Sequence, residues 1–207
     1  MKKILFLAVL ALALPMAVFA DSSIDYANVG GTLAASNAVG PAVLSLSGSN
    51  LIAITGIPSG TSITGSDLGS VSFTTGLLTS GSLAMGGTFA AGGTFKITGN
   101  GSNGAPTGVI FTGTFSGPVT WALMTNSVDG THTYTLSGTL AGTTASGFKT
   151  TGSTVQLTVN TGLGFFNGAV GVSSGDTNIV VPEPGSLVLL GTGLIGLAGV
   201  VRRKLKG

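Results

Sequence analysis

His132 is the one conventional general base between residues 21 and 181, and serine and threonine hydroxyls are abundant around it. A hydrolytic triad would need His132, a hydroxyl nucleophile and an orienting acid within hydrogen-bond reach. The pattern instead puts His132 two residues before Tyr134 in an alternating stretch, which reads as a strand histidine packed beside an aromatic. No G-x-S-x-G elbow is present; residues 60–65 read Gly-Thr-Ser-Ile-Thr-Gly, with the wrong spacing. Glycoside cleavage would need paired carboxylates. Residues 21–181 hold five isolated aspartates (Asp21, Asp25, Asp67, Asp129 and Asp176) and no glutamate. Asp67, Asp129 and Asp176 each lie within two residues of a glycine and read as turn or loop residues. Cysteine is absent and no D-x-D-x-D-G loop occurs, so metal chemistry reduces to a calcium held by Asp67 or Asp176 with backbone carbonyls. No catalytic, cofactor-binding or metal-binding residue is assigned. The chain is expected not to be an enzyme.

Hydroxyls are the other chemistry available. Thr131, Thr133 and Thr135 share one parity and are expected to project from one face, beside Thr112 and Thr114 of a neighbouring strand. Such an array can order water or hydrogen-bond sugars. It also suits the wet face of any uncharged sheet, because threonine has high strand propensity and forms cross-strand pairs.

The elements that position these residues read as β. Val109, Phe111, Phe115, Val119, Trp121 and Leu123 share one parity, with threonines and Ser116 on the other, so residues 108–124 predict a strand pair bent at Gly117-Pro118. Residues 126–130 predict a turn in which Asp129-Gly130 supply positive φ, and residues 131–140 the partner strand. Residues 93–98 and 154–160 repeat the alternation, and 43–46, 51–55 and 71–75 are further strands. The aromatics Phe111, Phe115, Trp121 and Tyr134 fall on the core parity. No long 3.6-residue period appears, so almost no helix is expected between the two ends. Seven or more short strands with one wet face predict an all-β antiparallel sandwich or partly closed barrel, with a β-solenoid as the alternative. Gly-Thr-Phe recurs at Gly87, Gly93 and Gly113, which is no fixed period.

Charge narrows the partners. Six of the eight cations lie in the two ends; residues 21–181 hold Lys96 and Lys149 against five acids, a net charge of −3. Nucleic-acid binding driven by counterion release has no basis in such a domain. Without cysteine, packing and hydrogen bonds alone must hold it together.

Both ends read as targeting segments. Lys2 and Lys3, an apolar run over residues 4–14, Pro15 and then Val18-Phe19-Ala20 have the layout of a secretory signal peptide, with signal peptidase cleaving after Ala20. At the other end, Pro182, Glu183 and Pro184 precede an apolar run over residues 187–201, and Arg202, Arg203, Lys204 and Lys206 follow at once. Fifteen helical residues span about 22 Å, and flanking residues with snorkelling arginines bring the segment close to a bilayer core of about 30 Å. The cation cluster places that end in the cytoplasm and the preceding chain outside, in agreement with the signal peptide. Gly191-Thr192-Gly193-Leu194-Ile195-Gly196 matches G-x-G-x-x-G, but no acid and too little chain follow for a dinucleotide fold.

This tripartite tail resembles the PEP-CTERM sorting signal of Gram-negative bacteria. The resemblance covers about 26 residues and implies nothing about the fold of the rest. It implies that an exosortase, a membrane-embedded cysteine transpeptidase-like enzyme, recognises Pro182, Glu183 and Pro184 as a substrate motif, and that Arg202, Arg203 and Lys204 form its basic tail. It further implies a precursor held transiently in the inner membrane and then moved to the cell surface or extracellular matrix, in organisms that build exopolysaccharide and biofilm matrix. The expected organisation is a signal peptide (1–20), an all-β passenger (21–159), a Gly/Ser/Asn-rich domain end and tether (160–181) and the sorting signal (182–207), with a signal helix and a transmembrane helix at the ends. The expected function is that of an exported, non-enzymatic surface or matrix protein. An extracellular carbohydrate-binding module is the alternative and a secreted hydrolase a lesser one.

Overall fold

The computed structural model describes residues 22–36, 42–57 and 60–181. The signal peptide, Ala20, the Pro-Glu-Pro motif, the apolar run and the basic tail lie outside the described residues.

Twelve strands follow in order: β1 (Ser22–Val29), β2 (Thr32–Ala35), β3 (Leu44–Thr55), β4 (Ile63–Thr74), β5 (Leu78–Ser82), β6 (Gly86–Phe89), β7 (Gly92–Asn100), β8 (Thr107–Phe115), β9 (Val119–Thr125), β10 (His132–Thr144), β11 (Lys149–Gly162) and β12 (Ala169–Val181). Among the described residues the only helical element is a 3-10 turn at Ser102–Gly104. The strand pairs that close round from β2 through β12 are all antiparallel, as is β1 with β3. The path β2-β3-β4-β7-β8-β10-β11-β12 returns to β2, so eight strands close a barrel. Closure removes the sheet edges that an open sandwich must protect. Neither the open sandwich nor the solenoid is formed.

Several strands are halves of one longer stave. β8 and β9 pair with opposite halves of β10, Phe115 opposite Leu140 and Thr120 opposite Ser137, and the chain bends between them at Gly117-Pro118 as the sequence predicts. β6 with β7, and β4 with β5, repeat the arrangement. β1 and β2 share the slot between β3 and β12. Gly31 makes that join possible: its φ is +78°, and a Cβ there would meet the Ser49 amide nitrogen at 2.5 Å. The result is a meander of eight staves, each beside its neighbour in sequence, closed where the last strand meets the first.

Eight strands leave an interior just wide enough for side chains, and aromatics fill it. Phe73 stacks on Phe95 at 5.9 Å, and Phe115 meets both edge-on at 5.7 and 6.1 Å. Phe111 packs edge-on against Phe95. Each such ring contributes about 1.5–3 kcal/mol by burial and about 0.5–1.5 kcal/mol more per well-oriented pair.

Four sequence expectations are corrected. Val109 is 43 % exposed rather than core, because a bulge opposite Ile97 and Thr98 shifts the phase and buries Ile110 instead. Only Gly130 of the Asp129-Gly130 turn has positive φ. The separate strands expected at 43–46 and 51–55 are one strand, β3, continuous through Gly48 at φ +67°. Residues 160–181, read as partly strand and then tether, do hold a strand, β12, but it runs on to Val181 and closes the barrel where the tether is expected.

Candidate functional site

The interior chemistry is structural. Trp121 and Tyr134 stack at 4.8 Å, and each carries a polar group that needs a partner inside a dry core. Trp121 Nε1 donates to the Leu83 carbonyl at 2.9 Å. The Tyr134 hydroxyl donates to the Ala84 carbonyl at 2.6 Å and accepts from the Phe166 amide at 3.1 Å. These bonds pull the β5–β6 turn and the β11–β12 loop over one rim of the barrel. His132 is buried at the same rim. Its ring stacks on Phe165 at 4.3 Å, and Nδ1 lies 3.1 Å from Thr125 Oγ1. The aromatic that His132 packs against is therefore Phe165, not Tyr134. Among the described residues, no carboxylate and no serine hydroxyl is hydrogen-bonded to it.

The aspartates are scattered. Asp67 Oδ1 accepts from the Gly69 amide at 3.1 Å and from Asn100 Nδ2 at 3.2 Å, within a bulged part of β4. Asp129 accepts from the Thr131 amide and hydroxyl, at 2.9 and 2.7 Å; these bonds hold its carboxyl below the usual carboxylate range. Asp176 is not a turn residue: it points outward from the middle of β12. Partial burial raises its pKa, repulsion by Asp25 adds to the rise, and a hydrogen bond from the Thr177 backbone opposes it. Among the described residues no three of His, Cys, Asp and Glu gather as a metal site.

What the fold does assemble is a groove on the outer wall. Alternation on β9–β12 turns Trp121, Tyr134, Leu157 and Ile179 inward and hydroxyls and amides outward. Strand pairing then sets these outward groups in rows. Thr120 lies opposite Ser137, Ser137 opposite Gln156, and Gln156 opposite Asp176. One step along the strands, Thr139 lies opposite Thr154 and Thr154 opposite Asn178. Ser116 Oγ donates to Thr139 Oγ1 at 3.1 Å, and Asn178 Nδ2 donates to Asp25 Oδ1 at 2.5 Å, so each end of the second row is held. Together with Pro118, Gly138 and Val155, the residues of the two rows line a concavity of about 390 Å³, within the size range of small-ligand sites. Gly138 leaves room on the inner face: a Cβ there would come within 2.8 Å of the buried Phe115 ring. The side chains of Thr120, Ser137, Thr154 and Gln156 have no hydrogen-bond partner among the described residues.

The threonine array is thus arranged differently from expectation. Thr112 faces Thr143 and Lys96, and Thr114 faces Ala141. Thr133 faces Met124 and Asn160, while Thr131 is engaged by Asp129 in the turn. No single sheet-wide threonine face joins them. The groove residues Ser137, Gln156 and Asp176 carry no local signature in sequence; only the register brings them side by side.

The remaining site begins where the barrel ends. Val180 is anchored to Ser153 Oγ through its amide at 3.1 Å, and Pro182, with no amide proton to offer a ladder, follows Val181 in sequence. Residues 180–204 match the PEP-CTERM protein-sorting motif. This chain carries a PEP-CTERM tail. No curated protein and no solved structure matches the chain. The PEP-CTERM match includes Pro182, Glu183, Pro184, Arg202, Arg203 and Lys204, the residues that sequence reading singles out. It implies an exported protein, anchored transiently in a membrane and processed by an exosortase. The match shares Val180 and Val181 with the end of β12, so the motif follows that strand in sequence with no residues between.

Proposed function

We propose that the protein is an exported, non-enzymatic component of a Gram-negative cell surface or extracellular matrix, delivered by an exosortase acting on its PEP-CTERM tail. Signal peptidase removes residues 1–20 after Ala20, and the inner membrane holds the precursor until the tail is processed. The observation that carries this reading is the PEP-CTERM match at residues 180–204, which follows a side-chain-filled barrel in sequence. The non-enzymatic part is supported by the surroundings of His132, which offer a ring stack and a threonine hydroxyl instead of a nucleophile and an orienting acid. Removing residues 182–207 and following the protein by cell fractionation tests the sorting claim. The truncated protein is expected to be lost from the surface fraction and to accumulate in the periplasm or medium. Unchanged surface deposition would defeat it.

A second reading, an extracellular carbohydrate-binding module, is favoured by the groove across β9–β12, which lines up hydroxyl, carboxamide and carboxylate side chains beside Pro118, Gly138 and Val155. Saccharides are bound through such groups when donors and acceptors are left open to them. Screening the protein against immobilised polysaccharides tests this, and absence of retention on all of them removes it.

A further inference from the structure

We infer that the groove binds an uncharged, linear polysaccharide segment lying across strands β9 to β12. The inference rests on the carbohydrate-binding reading and adds the site, the direction of the chain and its charge class.

The direction follows from the register. Thr120, Ser137, Gln156 and Asp176 occupy one row and Thr139, Thr154 and Asn178 the next. Neighbouring strands lie about 4.8 Å apart, and residues two apart along a strand are separated by about 7 Å. The groove therefore presents two parallel lines of hydrogen-bonding groups, one running from β9 to β12 and the other from β10 to β12, with one group per strand. A chain of pyranose rings carries hydroxyls along both edges and repeats at close to the strand spacing, so successive rings meet successive strands. An extended peptide advances about 3.3 Å per residue and falls out of step with these rows.

The charge class follows from what surrounds the rows. Asp176 lines the groove and Asp25 is joined to it through Asn178. The cations of the described residues, Lys96 on β7 and Lys149 at the start of β11, are not among the lining residues. A polyuronate or a phosphate-bearing chain would meet carboxylates with no compensating cation, whereas a neutral chain meets no such repulsion. Recognition rests on hydrogen bonds, because Phe111, Phe115, Trp121 and Tyr134 all face the interior and none is available to stack on a sugar face.

The test uses the full chain in detergent, applied to immobilised neutral, uronic-acid and amino-sugar polysaccharides. The wild type is compared with Ser137→Ala/Gln156→Ala and with the outward control Thr112→Ala/Thr143→Ala. All substituted positions face outward, and thermal melting verifies that each variant folds. The expected result is retention on at least one neutral polymer, about tenfold weaker for the Ser137/Gln156 variant, with the control unchanged. Equal retention of the wild type and the Ser137/Gln156 variant overturns the groove assignment and leaves carbohydrate binding standing. Retention confined to uronic-acid or amino-sugar polymers overturns the charge class. Retention on none overturns both this inference and the reading beneath it.

Discussion

The Tyr134 hydroxyl sits between the Ala84 carbonyl, to which it donates, and the Phe166 amide, from which it accepts. One side chain on β10 thereby fastens two loops that are 82 residues apart in the chain. Tyr134→Phe keeps the stack on Trp121 but leaves a carbonyl and an amide unpaired near the core. The expected cost is about 1–3 kcal/mol, read as a drop in Tm of about 2–4 °C per kcal/mol for a domain of this size. An unchanged melting temperature would mean that these loops do not depend on the bond.

Gly30 and Gly31 separate two effects at the β1–β2 join. Both have positive φ, 67° and 78°, but only Gly31 lacks room for a side chain, with Ser49 N and Ser47 O within 2.6 Å of its ideal Cβ. Gly30→Ala should cost only the left-handed backbone term, about 1–2 kcal/mol. Gly31→Ala adds a clash with backbone on β3 and should be clearly the more destabilising in chemical denaturation. Equal losses would argue against the close approach.

Thr177 is fully buried, and its hydroxyl has no hydrogen-bond partner among the described residues. Valine has nearly the same shape and no polar atom to desolvate. Thr177→Val is therefore expected to raise stability, by up to about 1–3 kcal/mol, in contrast to a valine replacement of a satisfied threonine. A fall in Tm would show that the hydroxyl is engaged.

Tyr26 is buried on β1, and burial pushes its phenol up to about 12. A raised phenol pKa favours the protonated folded state. Its contribution to stability is whole below the unfolded value of 10.0 and is lost as pH rises towards about 12. Ultraviolet difference titration should show Tyr26 ionising in that upper range or only with unfolding. The carboxylates give the acid-side counterpart. Asp176 is raised, so its share of stability falls as pH rises from the unfolded carboxylate range through its folded value. Asp129 is lowered, so its share is present above the unfolded carboxylate value and disappears as pH falls through its folded one. Carboxyl-carbon NMR should place Asp176 above Asp129, and the reverse order would contradict the assigned hydrogen bonds.

Local alternation was readable because each strand carries it alone: Phe95 and Ile97, Trp121 and Leu123, Tyr134 and Leu136 all fall on the inward parity. Closure was not, because the pairing of Thr32 with Gly171 joins residues 139 apart and leaves no local trace. Bulges hid the rest. One extra residue at Ile110 reverses the face of Val109, and Gly48 makes one long strand resemble two short ones. The groove was equally silent, since Ser137, Gln156 and Asp176 become neighbours only through register. The sorting tail was legible for the opposite reason: its parts are recognised by their linear order along the sequence.

The central claim is that both ends are removed in delivering a barrel to the cell exterior. Intact-mass measurement of the protein recovered from the surface or medium of its native culture tests this most directly. The expected polypeptide begins at Asp21 and ends within the tail, without the apolar run of residues 187–201 and the basic cluster. A mass corresponding to all 207 residues would contradict the account.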